Sequence, residues 1–238
     1  MRALLILEPD FFEQLRLNIL MQQFDPLDAM QTQRLLFQDF EQRAIQSVDF
    51  GFYQFSKPSI TYGYTLKADD FIDLARAQTL GFACVRWPTG GGFVMHHPQD
   101  LIFYFVAPLK NPQIPSGLNE SFLWLANLFK QALAECGLAI EISAQAPAGF
   151  EPVCFAHARE FEITHLGKKV LGIAQRRGKN ALLMQGSLAL QPCDPTWQGL
   201  LKDQSLWEKM VEGGGYLPDL DIEKFLKIFE KVFRDVRV

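Results

Sequence analysis

The chain has 238 residues, of which 48% are hydrophobic, and a formal net charge of −4. This length and apolar content are sufficient for a substantial core, which excludes a disordered protein. The acidic balance argues against a nucleic-acid-binding protein, since such domains carry a concentrated basic face. No stretch reaches the about 18 uninterrupted apolar residues of a membrane span, and Met1–Leu7 is too short for a signal peptide. We therefore expect a soluble, cytoplasmic protein with no nucleic-acid or membrane partner.

The aromatic residues and the cysteines indicate which kinds of functional site this chain can contain. Twenty-one Phe stand against five Tyr and four Trp, which favours an apolar interior or an apolar ligand cavity. The cysteines are widely scattered and contain no C-x-x-C pair, so we expect reduced thiols and no disulfide framework. Apart from His157, which lies near Cys154, the histidines have no paired spacing with a cysteine, and because zinc needs about four ligands we predict no metal site. The cysteines are Cys84, Cys136, Cys154 and Cys193.

In the first half of the chain, hydrophobic periodicity predicts two helices and four strands. Asp69 and Asp70 lie near the positive N-terminal end of the second helix, and Gly81 is its stop signal. The predicted helices are Ala29–Ser47 and Ala68–Leu80, and the predicted strands are Phe50–Phe55, Ser59–Tyr64, Phe82–Trp87 and Leu101–Ala107.

In the second half, a long amphipathic helix precedes a series of short strands. Asn119 is the expected N-cap of this helix and Gly137 its stop signal. Helices and hairpins alternate without regular βαβ spacing, so we predict an α+β fold with mixed or antiparallel sheets and packed helices. We expect one domain over residues 1–238, closed by a helical segment at 191–238. The predicted helices are Ser121–Cys136 and Ile222–Val232, and the predicted strands are Ala139–Ser143, Phe161–His165, Lys169–Ala174 and Ala181–Leu190.

Between two predicted strands lies the run Gly90–Gly92. Consecutive glycines let backbone N–H groups approach an anion closely, so this loop is a candidate cradle for a phosphate or a carboxylate. The run matches neither G-x-G-x-x-G nor G-x-x-x-x-G-K-[ST] and is followed by strand-like sequence, which excludes the dinucleotide and P-loop interpretations. A bare glycine run also serves as an ordinary turn, which is the interpretation we give to Gly213–Gly215.

Two side chains further along the chain could carry chemistry. Cys154 lies shortly before His157, an arrangement compatible with a nucleophilic thiol, a metal ligand or a small buried side chain without a role. Lys169 follows a turn and begins an apolar strand that contains Gly172. That pattern fits an exposed lysine that solvates the turn, and it also fits a cation directed into a buried pocket.

Three blocks of the sequence resemble signatures of the family that contains lipoate-protein ligases, octanoyltransferases and biotin-protein ligases. Arg86–His96 resembles its Arg-Arg-x-Ser/Thr-Gly-Gly-Gly-Ala-Val-x-His signature. Gly167–Gln175 resembles Gly-Arg/Lys-Lys-Ile/Val-x-Gly-x-Ala-Gln, and Met184–Ser187 resembles the His-Gly-Ser or Gln-Gly-Ser that follows. With weaker similarity elsewhere, the resemblance spans residues 25–190.

The resemblance implies a biotin/lipoate protein ligase-like catalytic domain in which the glycine loop and the lysine strand line an acyl-binding tunnel. It implies that Lys169 contacts the acyl carbonyl, and that Cys154, in the Cys-Phe pair of cysteine-dependent octanoyltransferases, is the nucleophile. Three residues depart from the signatures and leave the pocket shape open: Leu66, Trp87 and Phe93. The implied catalytic residues are Cys154 and Lys169, and the implied substrate-binding residues are Arg86, Thr89, Gly90, Gly91, Gly92, His96, Gly172, Ala174, Gln185 and Gly186.

The favoured function is transfer of an octanoyl or lipoyl group from acyl carrier protein, through a Cys154 thioester, to the lysine of a lipoyl domain or glycine-cleavage H protein. This route needs no cofactor. The alternative is a lipoate-protein ligase that uses ATP and Mg²⁺ to form lipoyl-adenylate, with Cys154 as a pocket wall. A third possibility is an acyl-binding protein that has lost catalysis. For either enzyme, we expect Lys169→Ala to abolish transfer and leave the fold intact, as for a lysine at a strand edge.

Overall fold

The computed structural model describes residues 15–43, 47–145, 149 and 151–235. Within these residues, ten strands and five α-helices follow one another along the chain. The strands are β1 (Leu15–Phe24), β2 (Val48–Phe55), β3 (Ser59–Tyr62), β4 (Ala83–Arg86), β5 (Phe93–His96), β6 (Leu101–Pro108), β7 (Ile140–Ile142), β8 (Ile163–His165), β9 (Lys168–Arg177) and β10 (Ala181–Leu188). The helices are α1 (Pro26–Gln42), α2 (Leu74–Thr79), α3 (Leu118–Glu135), α4 (Gln204–Gly213) and α5 (Ile222–Asp235). None of the described helices is long and apolar enough to cross a membrane.

Two β-sheets form the framework. The larger sheet has seven strands in the order β1-β2-β6-β10-β9-β8-β7, and its neighbouring strands are antiparallel except for the parallel pair β1 and β2. The smaller sheet has three strands in the order β4-β3-β5, with β3 parallel to β4 and antiparallel to β5. The predicted α+β class with mixed and antiparallel sheets is therefore confirmed.

One face of the larger sheet packs against α3 and α5. Phe52 of β2 and Phe103 of β6 meet Phe129 of α3, with ring centroids 6.0 and 4.7 Å apart respectively. Phe229 of α5 lies 5.0 Å from Phe52 in an edge-on contact. All four rings are almost completely buried, and such pairs stabilise a core beyond the area that they bury. Much of the phenylalanine surplus therefore builds this core.

The other face of the larger sheet packs against α1 and the smaller sheet. Successive side chains of a strand point to opposite faces. In β10, Met184 lies in the core with α3 and α5, whereas Gln185 and Ser187 point the other way. Gln185 donates a hydrogen bond to Gln33 of α1, and the hydroxyl of Ser187 lies 3.2 Å from a ring nitrogen of His96 in β5. These two side chains therefore face the space between the sheets.

Helix α1 begins where the sequence supplies both a cap and a proline. The carboxylate of Asp25 accepts a hydrogen bond from the N–H of Leu27 at 3.0 Å, and Pro26 is the first helical residue. The predicted start at Ala29 was therefore late. Residues 44–46 of the predicted helix lie outside the described residues, as does the N-terminal segment Met1–Leu7.

The prediction of one continuous helix at Ala68–Leu80 is wrong. A short 3-10 turn covers Ala68–Asp70, and α2 begins only after a break. In the break, Ile72 is fully buried and forms a β-bridge with the segment that precedes α4. The carboxylate of Asp73 then caps α2 by accepting a hydrogen bond from a backbone N–H of that helix. Burial of Ile72 and the new cap override the helical pattern.

The sequence prediction is correct for the C-terminal end of α3 and wrong for its N-terminal end. Helix α3 begins at Leu118, with Gly117 as its cap residue and no side-chain hydrogen bond there, so the assignment of Asn119 as N-cap is wrong. Gly137 follows the helix with φ +93°, which confirms it as the stop signal. Strand β1 and helix α4 were not predicted.

Candidate active site

A cavity of about 480 Å³ lies between the two sheets, and we call it the large cavity. Its volume falls within the range of about 300 to 1,000 Å³ that is typical of small-molecule sites. One wall comes from β9 and β10, the opposite wall from β3 and β5, and the loops with the glycine run and Cys154 complete it. The residues predicted from the sequence that do line the large cavity are Gly90, Gly91, Gly92, Cys154, Lys169, Gly172, Ala174, Gln185 and Gly186.

Small residues on β9 make room for the large cavity. Gly172 pairs with Ser187 of β10, and Ala174 pairs with Gln185. A Cβ added at Gly172 would lie 3.2 Å from the Cε atom of Lys169. A larger residue at this position would therefore press on the lysine side chain, and the glycine leaves that side chain its path across the strand.

The glycine run lies very close to the neighbouring backbone. Gly91 has φ +114°, a conformation that residues with a side chain rarely adopt. A Cβ on Gly92 would come within 2.1 Å of the carbonyl oxygen of Pro152, and a Cβ on Gly63 would come equally close to the carbonyl oxygen of Gly91. Glycine is therefore required here for close packing as well as for backbone conformation.

Backbone hydrogen bonds hold the Cys154 loop beside the glycine run. The N–H of Phe93 donates to the carbonyl of Pro152 at 2.7 Å, and the N–H of Cys154 donates to the carbonyl of Phe93 at 3.0 Å. The N–H of Gly92 is hydrogen-bonded to the thiol sulfur. That sulfur lies 3.9 Å from the position that a Cβ on Gly91 would take. The thiol thus faces the glycine run, while the Phe93 side chain is buried outside the large cavity.

We expect Gly91→Val to block binding of an octanoyl or lipoyl ligand. The valine would have to adopt a positive φ, at a cost of about 1 to 3 kcal/mol, and its branched side chain would project towards the Cys154 sulfur. Isothermal titration calorimetry with octanoate measures the effect. Gly90→Ala is the matched control with a smaller expected loss, because a Cβ at Gly90 meets no atom within 4 Å. Unchanged binding by Gly91→Val would show that the loop is an ordinary turn.

Lys169 is buried, with an exposed side-chain fraction of 1%. Its ammonium lies 2.6 Å from the carboxylate of Glu162, donates a hydrogen bond to the carbonyl of Cys154, and lies 5.2 Å from the ring centre of Phe155. Strand β9 has neighbours on both sides, β8 and β10. The interpretation of Lys169 as an exposed turn residue and the premise of a strand-edge lysine are therefore both wrong. The cation is held against the backbone of the Cys154 loop.

Burial raises the pKa of the Cys154 thiol above its ordinary value. The charge of Lys169 lowers this pKa, as do the N–H of Gly92 and the charge of Arg159, whereas the carboxylate of Glu162 raises it. Because burial is the largest of these effects, the thiol is mainly protonated near neutral pH. The two charges of the Lys169–Glu162 pair therefore shift the pKa of the thiol in opposite directions.

We expect alkylation of Cys154 by iodoacetamide to be slow near neutral pH and to keep accelerating as the pH rises past the ordinary thiol pKa of about 8.5, because the thiolate is the nucleophile and burial raises its pKa. Glu162→Gln removes a charge that raises the pKa, so the profile of this variant should shift to lower pH. Peptide-resolved mass spectrometry separates Cys154 from the other cysteines. A wild-type rate that is already maximal near neutral pH would contradict the raised pKa.

Two of the predicted substrate-binding residues, Arg86 and Thr89, do not line the large cavity. The guanidinium of Arg86 donates hydrogen bonds to three carbonyl oxygens of the segment that follows β3, those of Gly63, Tyr64 and Leu66. Arg86 therefore holds this segment against the glycine loop. Thr89 is buried, and its hydroxyl has no hydrogen-bond partner among the described residues.

His96 is also absent from the lining of the large cavity but supports two residues that belong to it. The ring lies between the hydroxyls of Thr61 and Ser187, at 2.7 and 3.2 Å. Burial lowers the pKa of His96 to about 3, so the ring is neutral and can donate one hydrogen bond and accept the other. Within the described ranges, no three His, Cys, Asp or Glu side chains are placed to hold a metal ion.

Several residues of the site were not predicted from the sequence. Glu162 and Trp87 line the large cavity, although Trp87 was noted only as a departure from the family signature. The interpretation of Gly213–Gly215 as only a turn is wrong. A Cβ at its first glycine would lie 1.7 Å from the carbonyl oxygen of Ala156, and the N–H of its last glycine donates to the carbonyl of Lys169 at 2.7 Å. This run lets the end of α4 pack against both the Cys154 loop and β9.

Relatives with a known description match this chain along much of its length. An octanoyltransferase LipM from Carboxydothermus hydrogenoformans is 30% identical over 159 residues, which cover 66% of this chain and 59% of the relative. An octanoyltransferase LipM from Moorella thermoacetica is 34% identical over 143 residues, which cover 58% of this chain and 52% of the relative. The chain therefore spans between half and three-fifths of the length of these relatives.

Solved structures share the fold at lower sequence identity. Lipoate-protein ligase A bound with ATP aligns with a TM-score of 0.76 at 19% identity, over 93% of this chain and 84% of that chain. The bipartite lipoate protein ligase of Thermoplasma acidophilum aligns with a TM-score of 0.69 at 19% identity, over 93% and 82% of the two chains. The family model described as the lipoyl protein ligase A/B catalytic domain matches residues 25–234. The chain accordingly belongs to the lipoyl protein ligase A/B catalytic-domain family.

Proposed function

We propose that this chain transfers an octanoyl group from a thioester on acyl carrier protein to the lysine of a lipoyl domain or glycine-cleavage H protein, with Cys154 as nucleophile. A lipoyl group is the alternative cargo. The observation that carries the proposal is the Cys154 thiol in the wall of the large cavity, beside the buried ammonium of Lys169. A thiol and a fixed cation at one cavity are the two groups that thioester exchange requires.

In the first half-reaction, the Cys154 thiolate attacks the acyl carbonyl and forms a new C–S bond as the C–S bond to the carrier breaks. The N–H of Gly92, which is hydrogen-bonded to the sulfur, stabilises the thiolate. Lys169 supplies positive charge where negative charge develops on the carbonyl oxygen. Because Glu162 already holds this ammonium in place, little reorganisation is needed during the reaction.

In the second half-reaction, the amine of the acceptor lysine attacks the Cys154 thioester and forms an amide, and the thiol is regenerated. The attacking amine must lose a proton. His157 lines the large cavity with Cys154, and its imidazole is the group that we assign to accept this proton. The order of events is that of a double-displacement enzyme, in which the first product leaves before the acceptor reacts.

The relatives support octanoyl transfer over other reactions of the family. Both matched LipM proteins are octanoyltransferases, at 30% and 34% identity. Since the chain spans between half and three-fifths of their length, the donor, the acceptor and the activity of the whole protein are proposals for this chain.

ATP-dependent lipoate ligation is the second candidate function. It is favoured by the structural similarity to lipoate-protein ligase A, whose solved structure is bound with ATP. In this function, Gly90–Gly92 and Lys169 would hold the phosphate of lipoyl-adenylate, and Mg²⁺ and ATP would be required. Cys154 would then be only part of the cavity wall.

Incubation of the protein with octanoyl-acyl carrier protein, without ATP, tests the proposal. Intact-mass spectrometry should show a gain of one octanoyl group, and the adduct should be removed by hydroxylamine. A parallel incubation with lipoate, ATP, Mg²⁺ and a lipoyl domain should leave that domain unmodified. Modification of the lipoyl domain in the second incubation alone would establish the ligase. Transfer in neither incubation, together with binding of octanoate in calorimetry, would indicate an acyl-binding protein.

A further inference from the structure

A second cavity, of about 260 Å³, shares part of its wall with the large cavity, and we call it the small cavity. Val94, Val153, Phe155 and Ser187 line both cavities. Val153 and Phe155 are the chain neighbours of Cys154. The two cavities are therefore adjacent at the loop that carries the thiol, and the thiol itself lines the large cavity.

The small cavity extends from this shared wall to the protein surface. Its lining includes four exposed residues, Lys168, Pro192, Val211 and Tyr216, which mark its mouth. The ammonium of Lys168 forms no ion pair or hydrogen bond with any described residue. Further in, the lining combines apolar side chains with polar ones, which include the amide of Gln191, the ring of His97 and the carboxyl of Asp100. Ala189 contributes only a methyl group. The cavity thus has apolar and polar walls, and Lys168 places a positive charge at its entrance.

We propose that the small cavity receives the leaving-group side of the acyl thioester. The ligand is a linear arm that ends in a thiol, contains amide groups and carries a phosphate at its outer end. Acyl carrier proteins and coenzyme A both present such an arm. The inference rests on the proposed octanoyl transfer and adds to it the place where the donor is held.

The position of the small cavity follows from the geometry of a thioester. The acyl chain and the arm extend in opposite directions from the reacting carbonyl, and both must lie within reach of Cys154. With the acyl chain in the large cavity, the arm requires a second channel that begins at the same loop. Its methylene segments match the apolar walls, its amides match Gln191, and its phosphate matches the cation of Lys168 at the mouth.

The transfer at this junction needs no further reactant. The Cys154 sulfur forms a bond to the acyl carbon, and the sulfur of the arm leaves with the electron pair of the broken C–S bond. The proton that Cys154 loses ends on the thiol of the arm. The free arm can then withdraw through the mouth of the small cavity while the acyl group stays on the enzyme.

The test compares octanoyl donors that differ only in their leaving group. Octanoyl-phosphopantetheine carries the whole arm, and octanoyl-pantetheine lacks only the phosphate. The leaving group of octanoyl-N-acetylcysteamine is only the thiol end of the arm and is too short to reach the mouth of the small cavity. Octanoyl-coenzyme A and octanoyl-acyl carrier protein carry the arm in its two natural settings, and we expect the variants below to affect both in the same direction. Acylation of the protein by each donor is followed by intact-mass spectrometry, and KM is determined for each.

Two variants narrow the small cavity. Ala189→Leu fills its interior, and Val211→Trp obstructs its mouth at a side chain that is 47% exposed, so that folding is not at risk. We expect each to raise the KM of octanoyl-phosphopantetheine about tenfold more than that of octanoyl-N-acetylcysteamine. Lys168→Gln should raise the KM of the phosphorylated donor about threefold relative to octanoyl-pantetheine. Lys227→Gln, an exposed lysine of α5 outside both cavities, is the matched control.

Equal changes in KM for the long and the short donors, or no change for either, would overturn the placement of the arm while acylation of the protein still occurs. Absence of acylation by every donor in the wild-type protein would instead overturn octanoyl transfer itself. The two failures are therefore distinguishable in one set of measurements.

Discussion

Lys169→Ala is expected to abolish octanoyl transfer and to lower the free energy of unfolding by about 3 kcal/mol, the lower end of what breaking a buried ion pair costs. The ammonium is removed from a site where its exposed fraction is 1%, and the carboxylate of Glu162, 13% exposed, is left without its partner. For a chain of this size, the loss corresponds to a fall in Tm of roughly 6 to 12 °C. Calorimetry and the acylation assay measure the two effects separately.

The two roles of Lys169 can be separated by removing both charges of the pair. In the double variant Lys169→Met, Glu162→Gln no unpaired charge remains, so we expect most of the stability to return while acyl transfer stays absent. Lys168→Ala, at the exposed neighbouring residue, is the control for stability and should leave Tm almost unchanged. Recovery of transfer in the double variant would show that the ammonium serves only the fold.

The sequence was sufficient to predict the parts of the site that are contiguous along the chain. The glycine run and the lysine strand each lie in one short block, and the register of β9 against β10 brings Gly172 opposite Ser187. Alternation along the strand then places Gly172 and Ala174 on one face. It would put Lys169 on the face of Leu171, which lies in the core, so the position of Lys169 in the cavity wall does not follow from alternation. Cys154 could be associated with these blocks because the family resemblance supplied a spacing that periodicity alone does not contain.

Glu162 could not be predicted, for a physical reason. The preceding residue, Phe161, has φ +68°, and the register between β8 and β9 shifts between Ile163 and Thr164. Such an irregularity changes which side chain faces the sheet interior. Glu160 and Glu162 are indistinguishable in the sequence, yet Glu160 is exposed and Glu162 pairs with Lys169.

Contacts between distant segments account for the other differences. The pattern at Ala68–Leu80 is helical in isolation, but burial of Ile72 against the segment before α4 interrupts it. In the same way, the run Gly213–Gly215 has the composition of a turn, and its requirement for glycine comes from the carbonyl of Ala156, far away in the sequence. Local propensity contains no information on either contact.

Cys154→Ser is expected to remove the octanoyl adduct that the wild-type protein forms with octanoyl-acyl carrier protein, and to reduce turnover by on the order of a thousandfold or more. The serine hydroxyl fits the same position but ionises far less readily than a thiol, even one whose pKa is raised by burial. The hydrogen bond from Gly92 and the charge of Lys169 remain in the variant, so a loss of activity reports on the nucleophile itself.

Cys136→Ser is the matched control for this substitution, because Cys136 ends α3 and does not line either cavity. It should keep the hydroxylamine-labile adduct and the wild-type rate, and both variants should bind octanoate with unchanged affinity in calorimetry. Full activity of Cys154→Ser that depends on ATP, Mg²⁺ and lipoate would contradict the thioester route and establish adenylate chemistry in its place. Loss of the adduct with intact binding would leave the Cys154 sulfur as the atom that carries the acyl group.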